Sequence, residues 1–232
     1  MPSFFSVVMT LVRRELLVEL RTKEVITTTT VFALLVTVLA ALSFHTSAVT
    51  SAYLAPGALW LALTFASVFG VARFWQRERE EDSLAALVLA PIPRSALFAA
   101  KSLVAAIFLF AVAVVDVPTV ALLFHIDLLA VLLPLSIVMV LALTGVSLTG
   151  TLFGVMTVRT NARDLVLATV LLPLLAPVLV TAVSATREIF SAEVAGQPFP
   201  FDELRDYVLL LSVFDLGALG LGAGLFALVV EE

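Results

Sequence analysis

Apolar residues along this chain gather into six long blocks, at 25–44, 52–74, 97–124, 128–157, 165–186 and 207–230, and most charged residues fall between them. A hydrocarbon core about 30 Å thick is crossed by roughly 20 apolar residues in helical form. Every block reaches that length, and those at 25–44, 128–157 and 165–186 hold no ionisable side chain. They are apolar on all sides, whereas a barrel strand alternates apolar and polar over about ten residues. A helix also pairs its own backbone groups where no water is available. The pattern predicts an all-α, polytopic membrane protein in which residues 25–232 form a domain of six transmembrane helices.

Two further elements show between and before the blocks. In residues 1–24, Phe5, Val8, Met9, Val12, Leu16 and Leu20 recur at three- and four-residue spacing with Arg14 and Arg21 on the far side. That is the signature of an amphipathic helix. Such a helix can lie in the lipid headgroup layer, pack on a cytosolic partner, or serve as an interfacial lead-in to the first crossing. Glu15 and Glu19 border its apolar stripe and count against a pure lipid anchor.

The second element is a cytosolic helix over about 78–90. Charged residues through Glu80 and Glu81 lead into Asp82-Ser83-Leu84-Ala85-Ala86-Leu87-Val88, and Pro91 and Pro93 follow. Asp82 or Ser83 can cap the first turn, acids there suit the helix dipole, and Pro91 ends the helix. Leu84, Leu87 and Val88 share one face, which suits docking on a second protein; a solvated charged loop is the plainer alternative.

Composition sharpens this picture. Hydrophobic residues make up 62% of the chain and charged ones 13%, far from the balance of a water-soluble domain. No cysteine is present, which excludes disulfides and thiolate chemistry. The net charge of −5 matters less than its distribution. Arg13, Arg14, Arg21, Lys23, Arg73, Arg77, Arg79, Arg94, Lys101, Arg159 and Arg163 fall on one side, and only Arg187 and Arg205 on the other. The positive-inside rule then puts both termini in the cytosol. Residues 187–206 are expected as an exposed outer loop with a short surface helix. The charged start of the chain does not have the form of a cleavable signal peptide.

Within the crossings, Asp116 and Asp215 each lie eight residues from the outer end of a helix, a depth of about 12 Å at the helical rise. A buried aspartate needs compensation. The two either share a polar layer or are satisfied separately, Asp116 having a freed carbonyl nearby because Pro118 follows. Glycines at 145, 150 and 154, and at 217, 220, 222 and 224, offer faces for close helix packing. Pro173 and Pro177 are expected to kink the fifth crossing. No catalytic constellation and no metal site is expected: H-E-x-x-H is absent, and arginines interleave the acidic cluster at 78–82.

Three stretches carry a family resemblance. They are Ala55-Pro56-Gly57-Ala58-Leu59-Trp60, the link from Arg73 through Ser83-Leu84 and Leu89-Ala90-Pro91-Ile92-Pro93 to Lys101, and Leu172-Pro173-Leu174-Leu175-Ala176-Pro177 preceded by the basic Arg159–Arg163 link. Together they resemble the CcmB family, the haem exporter protein B subunits of cytochrome c biogenesis. One departure is Glu81-Asp82 where the family has Asp-Gly, so that the glycine is missing.

The resemblance implies a type-2 ABC exporter permease fold in a bacterial inner membrane and a second copy of the chain. It also implies an ABC ATPase subunit (CcmA-like), a CcmC-like haem-handling membrane protein and a small CcmD-like accessory chain. On that reading the chain binds no cofactor itself. ATP belongs to the partner, in keeping with the lack of a phosphate loop here, and haem is handled by the complex. The 78–90 helix would be the coupling element, with Glu80, Glu81, Asp82, Ser83, Leu84, Leu87 and Val88 on the ATPase. His45 and His125, at outer helix ends, are the haem-ligand candidates, with surface or capping roles as the alternative. No nucleic-acid partner is implied. A general lipid or drug exporter of the same superfamily, and a subunit that moves no substrate but drives release of a haem-loaded chaperone, fit the same sequence.

Overall fold

A computed structural model describes residues 3–43, 48–80, 93–157, 163–197 and 201–231, almost all of them helical. Among them are seven helices: α1 (Phe4–Thr22), α2 (Glu24–Ser43), α3 (Ala48–Glu80), α4 (Arg94–Phe124), α5 (Leu128–Thr157), α6 (Arg163–Val194) and α7 (Phe201–Glu231). Six are long and apolar enough to cross a membrane, with α1 the exception. The chain is thus an all-α, multi-pass membrane protein.

Helices α3, α4 and α5 form the middle of the bundle. The α3 helix packs on α2, α4, α5 and α6, and α5 packs on α3, α4, α6 and α7. The crossing in α3 is the most buried of the six and that in α7 the least. Small residues explain the first: Ala52, Ala55, Ala58, Ala62 and Ala66 recur at three or four and are all buried, so neighbouring helices approach closely. Trp60 sits among them, and its indole N–H donates to Thr186 Oγ1 of α6 at 2.9 Å.

The α7 helix docks through its neighbours' lack of side chains and its own. A Cβ on Gly145 of α5 would lie 2.5 Å from Asp215 Oδ1 and 3.2 Å from the Phe214 ring. A Cβ on Gly222 would overlap three ring carbons of Phe98, a buried residue of α4.

The α6 helix departs from expectation, because it continues through Val194 where an exposed loop from Arg187 was predicted. Ala182, Ala185, Thr186, Ile189 and Phe190 form one buried face that does not stop at the hydropathy boundary. Arg187 stacks on the Tyr53 ring at 4.3 Å, and Glu188 accepts the Tyr207 hydroxyl, so the charged residues are satisfied while the helix goes on. It ends when Gly196 takes φ +65, with the Gln197 N–H bonded to Ala192 O and the Gly196 N–H to Glu193 O. That is a paired C-terminal cap requiring the left-handed region, which glycine enters without strain. Pro173 and Pro177 lie inside α6, which continues past both.

Candidate functional site

Chemistry-bearing residues gather at the end of the bundle where α1 lies, α2 starts, α3 finishes and α4 starts. The α1 helix opens with Ser3 as N-cap, its hydroxyl accepting from the Ser6 N–H. Val7, Val8 and Val12 pack on Ala96, Ala100, Val104 and Phe108 of α4 in a small core separate from the main one. Lys101 is buried in the same interface at 2% exposure. Its ammonium donates to Glu15 Oε1 of α1 at 3.0 Å and lies 4.7 Å from the centroid of the Phe74 ring of α3. Three helices are therefore tied at one cation. A lysine in that position would be costly without a counter-charge and an aromatic face.

The corner between α1 and α2 is a single residue. Lys23 adopts φ 55 and its N–H bonds to Glu19 O at 2.6 Å. The Glu19 side chain turns inward, and Oε1 accepts from the Ile26 N–H of α2 at 2.9 Å, capping that helix. The acids that border the apolar stripe thus face the protein, one on Lys101 and the other on the first turn of α2.

The link between α3 and α4 emerges at this end. Residues 78–80, expected to begin a separate helix, instead continue α3. Nothing between Ala72 and Asp82 breaks a helix, neither glycine nor proline. Glu81, Asp82, Ser83, Leu84, Leu87 and Val88 lie outside the described residues; Glu80 is the last residue of α3. On the far side of the link Pro93 stands at the N-cap of α4, and its carbonyl accepts from the Ala96 and Leu97 amides.

The intramembrane aspartates have different neighbours. Asp116 is fully buried, and its Oδ1 accepts from Thr37 Oγ1 of α2 at 2.8 Å, while Oδ2 has no hydrogen-bond partner. Asp215 lies against the backbone of Gly145 on α5, with Oδ1 buried and unpartnered. No hydrogen bond joins the two carboxyl groups. Thr37 is not singled out by the sequence pattern, although Thr29, Ala33 and Thr37 repeat every four residues and are the small buried stripe of an otherwise largely exposed helix. Thr37→Val is expected to cost about 1 kcal/mol, the scale of an interhelical bond in membranes, and Thr37→Ser to cost little. Thermal unfolding of the purified chain in detergent measures both.

His125 is exposed and takes φ 58 as the C-cap of α4, its N–H on Ala121 O. Its place is set by backbone geometry. His45 lies outside the described residues. At the same distal end the Asp127 N–H donates to Glu193 Oε1 at 3.2 Å, tying the α4–α5 turn to the end of α6.

A cavity of about 20 Å³ lies between α2, α3, α4 and α5, lined in part by Thr29, Ser67 and Thr151. It has room for one water. A wider apolar groove of about 400 Å³ opens between α4 and α5, with Phe110, Val114, Leu132 and Met139 in its walls.

Fold and site together define a six-span helical membrane protein with an accessory helix clamped to α4 at the end where α3 finishes. The chain belongs to the CcmB family, whose description, CcmB protein, it matches over residues 6–227. It is similar to Heme exporter protein B of Bradyrhizobium diazoefficiens, 25% identical over 190 residues, covering 82% of this chain and 85% of the relative.

Proposed function

We propose that this chain is the membrane subunit of an ABC transporter complex of cytochrome c maturation in a bacterial inner membrane, with both termini cytosolic. It works as a dimer and hydrolyses no ATP itself. A CcmA-like ATPase subunit supplies the energy, and CcmC-like and CcmD-like chains complete the complex. The observation that carries this reading is the family match over nearly the whole chain, reinforced by a relative named for haem export that aligns along most of both lengths.

In this reading the 78–90 segment docks on the ATPase through Leu84, Leu87 and Val88, with the acids from Glu80 to Asp82 alongside. The arrangement around it supports such coupling. The segment joins α3 to α4, and the Lys101 contacts with Phe74 and Glu15 tie those two helices to α1 at that same end. A push on the link would move three helices together. The cavity between α2, α3, α4 and α5 has room for one water at most, far too little for a haem-sized solute. That favours mechanical coupling to a haem-loaded chaperone, or a path at the surface between two copies. Leu84→Asp is expected to abolish co-purification of the ATPase and the maturation of c-type cytochromes, read by haem staining, while the subunit still inserts. Retained ATPase association and normal staining would refute the coupling role.

A further inference from the structure

The helix α1 has three sides, and two of them have no partner among the described residues. The first carries Val7, Val8 and Val12 against α4, and both its acids belong to it: Glu15 on Lys101 and Glu19 on the Ile26 amide. The second is an apolar strip in which Phe5, Met9 and Leu20 are 71%, 49% and 64% exposed. The third carries Arg14 and Arg21, seven residues apart and so on one side, with Arg13 between them and the apolar strip. All three arginines are exposed, and none forms an ion pair among the described residues. Lys23 at the corner is exposed as well, while Glu24 is engaged with Arg73 at 3.9 Å. A chain of net charge −5 thus presents, on this helix, an outward surface of positive charge alone.

We propose that this outward surface of α1 binds anionic phospholipid, with the apolar strip among the acyl chains and the arginines on headgroup phosphates. Position and charge both favour a lipid over a protein partner. One residue separates α1 from α2, so the helix lies at the level where the first crossing begins. The strip is also continuous in character with the lipid-facing side of α2, where Val31, Leu35 and Leu42 are exposed. Arginine stems lie along apolar surface while their heads reach the phosphates. The inward turn of the two acids removes the repulsion that would otherwise oppose an anionic surface.

The test is native mass spectrometry of the full-length chain, alone and with any co-purifying subunits, titrated with phosphatidylglycerol or phosphatidylcholine of matched acyl chains. Wild-type protein is expected to retain phosphatidylglycerol in preference by about tenfold or more, given roughly fivefold per basic residue near an anionic surface. The Arg13→Gln/Arg14→Gln/Arg21→Gln variant should lose that preference with an unchanged melting temperature, and the corresponding lysine variant should keep it. Raising the salt should reduce the preference, and glycerol phosphate without acyl chains should not compete. An equal preference in the glutamine variant overturns the proposal, and so does full competition by glycerol phosphate. Loss of the ATPase from the glutamine variant with its lipid preference intact would also overturn it, assigning the face to a protein.

Discussion

Glu15→Ala is expected to destabilise the α1–α4 interface by about 3 kcal/mol, the lower end of the range for removing one partner of a buried ion pair. The cost is asymmetric. Lys101 is 2% exposed and cannot be rehydrated where it stands, whereas the Glu15 side chain retains 16% exposure and can turn to water. Lys101→Met, which keeps the stem and removes the charge, should therefore cost only about 1 kcal/mol. The double variant should resemble Lys101→Met rather than the sum, because no buried charge is left to compensate. Hydrogen exchange in α1 reads the effect locally: its amides should exchange about a hundredfold faster in Glu15→Ala, while the core of α5 is unaffected. Equal losses from the two single changes would show that the pair is not desolvated as described.

Gly222→Ala should loosen α7. The added Cβ would fall on the Phe98 ring, which is 1% exposed and has little room to swing away. Overpacking of this kind costs about 1–3 kcal/mol. Because α7 is the least buried crossing, that loss falls on the span with the smallest buried share. Phe98→Leu in the same chain should restore much of the stability by clearing the space, although alone it removes packing. Thermal melting in detergent, with limited proteolysis near the α6–α7 connection, distinguishes a loosened α7 from general unfolding. By contrast Gly220 and Gly224 face open space, and alanine there should be neutral.

The six crossings were legible because a bilayer leaves so few solutions: length and hydropathy alone define them. Which face of each helix meets its neighbour was not, and the reason is physical. In a run such as 128–157 no residue is charged and apolar residues fall on every side, so no simple stripe records the core side. The faces are set instead by small or polar residues in few places. Thr37 is hidden among the hydroxyls of a threonine-rich helix, though the four-residue steps from Thr29 through Ala33 to Thr37 mark the buried side. Lys101 read as one more cytosolic charge, although the alanines at 96, 99, 100, 105 and 106 around it describe a tightly packed site. Glu15 and Glu19 look out of place in an amphipathic helix only while its stripe is taken as a single surface. Two surfaces meet there, one for α4 and one turned outward. The extension of α6 to Val194 was missed for the opposite reason, since charged residues mask a buried face that Ile189 and Phe190 carry on.

The single-residue corner at Lys23 makes α1 a rigid arm on α2. Nineteen helical residues give the arm a length of about 28 Å. The Glu19 carboxylate on the Ile26 amide braces the joint, so rotation of one helix is handed to the other instead of being absorbed in a linker. A ten-degree tilt of α2 would call for about 5 Å of travel at the far tip near Phe4, and because Val7, Val8 and Val12 are packed on α4 that travel is handed on to α4. A movement of the first crossing is in this way shared with α4 rather than released at the edge of the bundle.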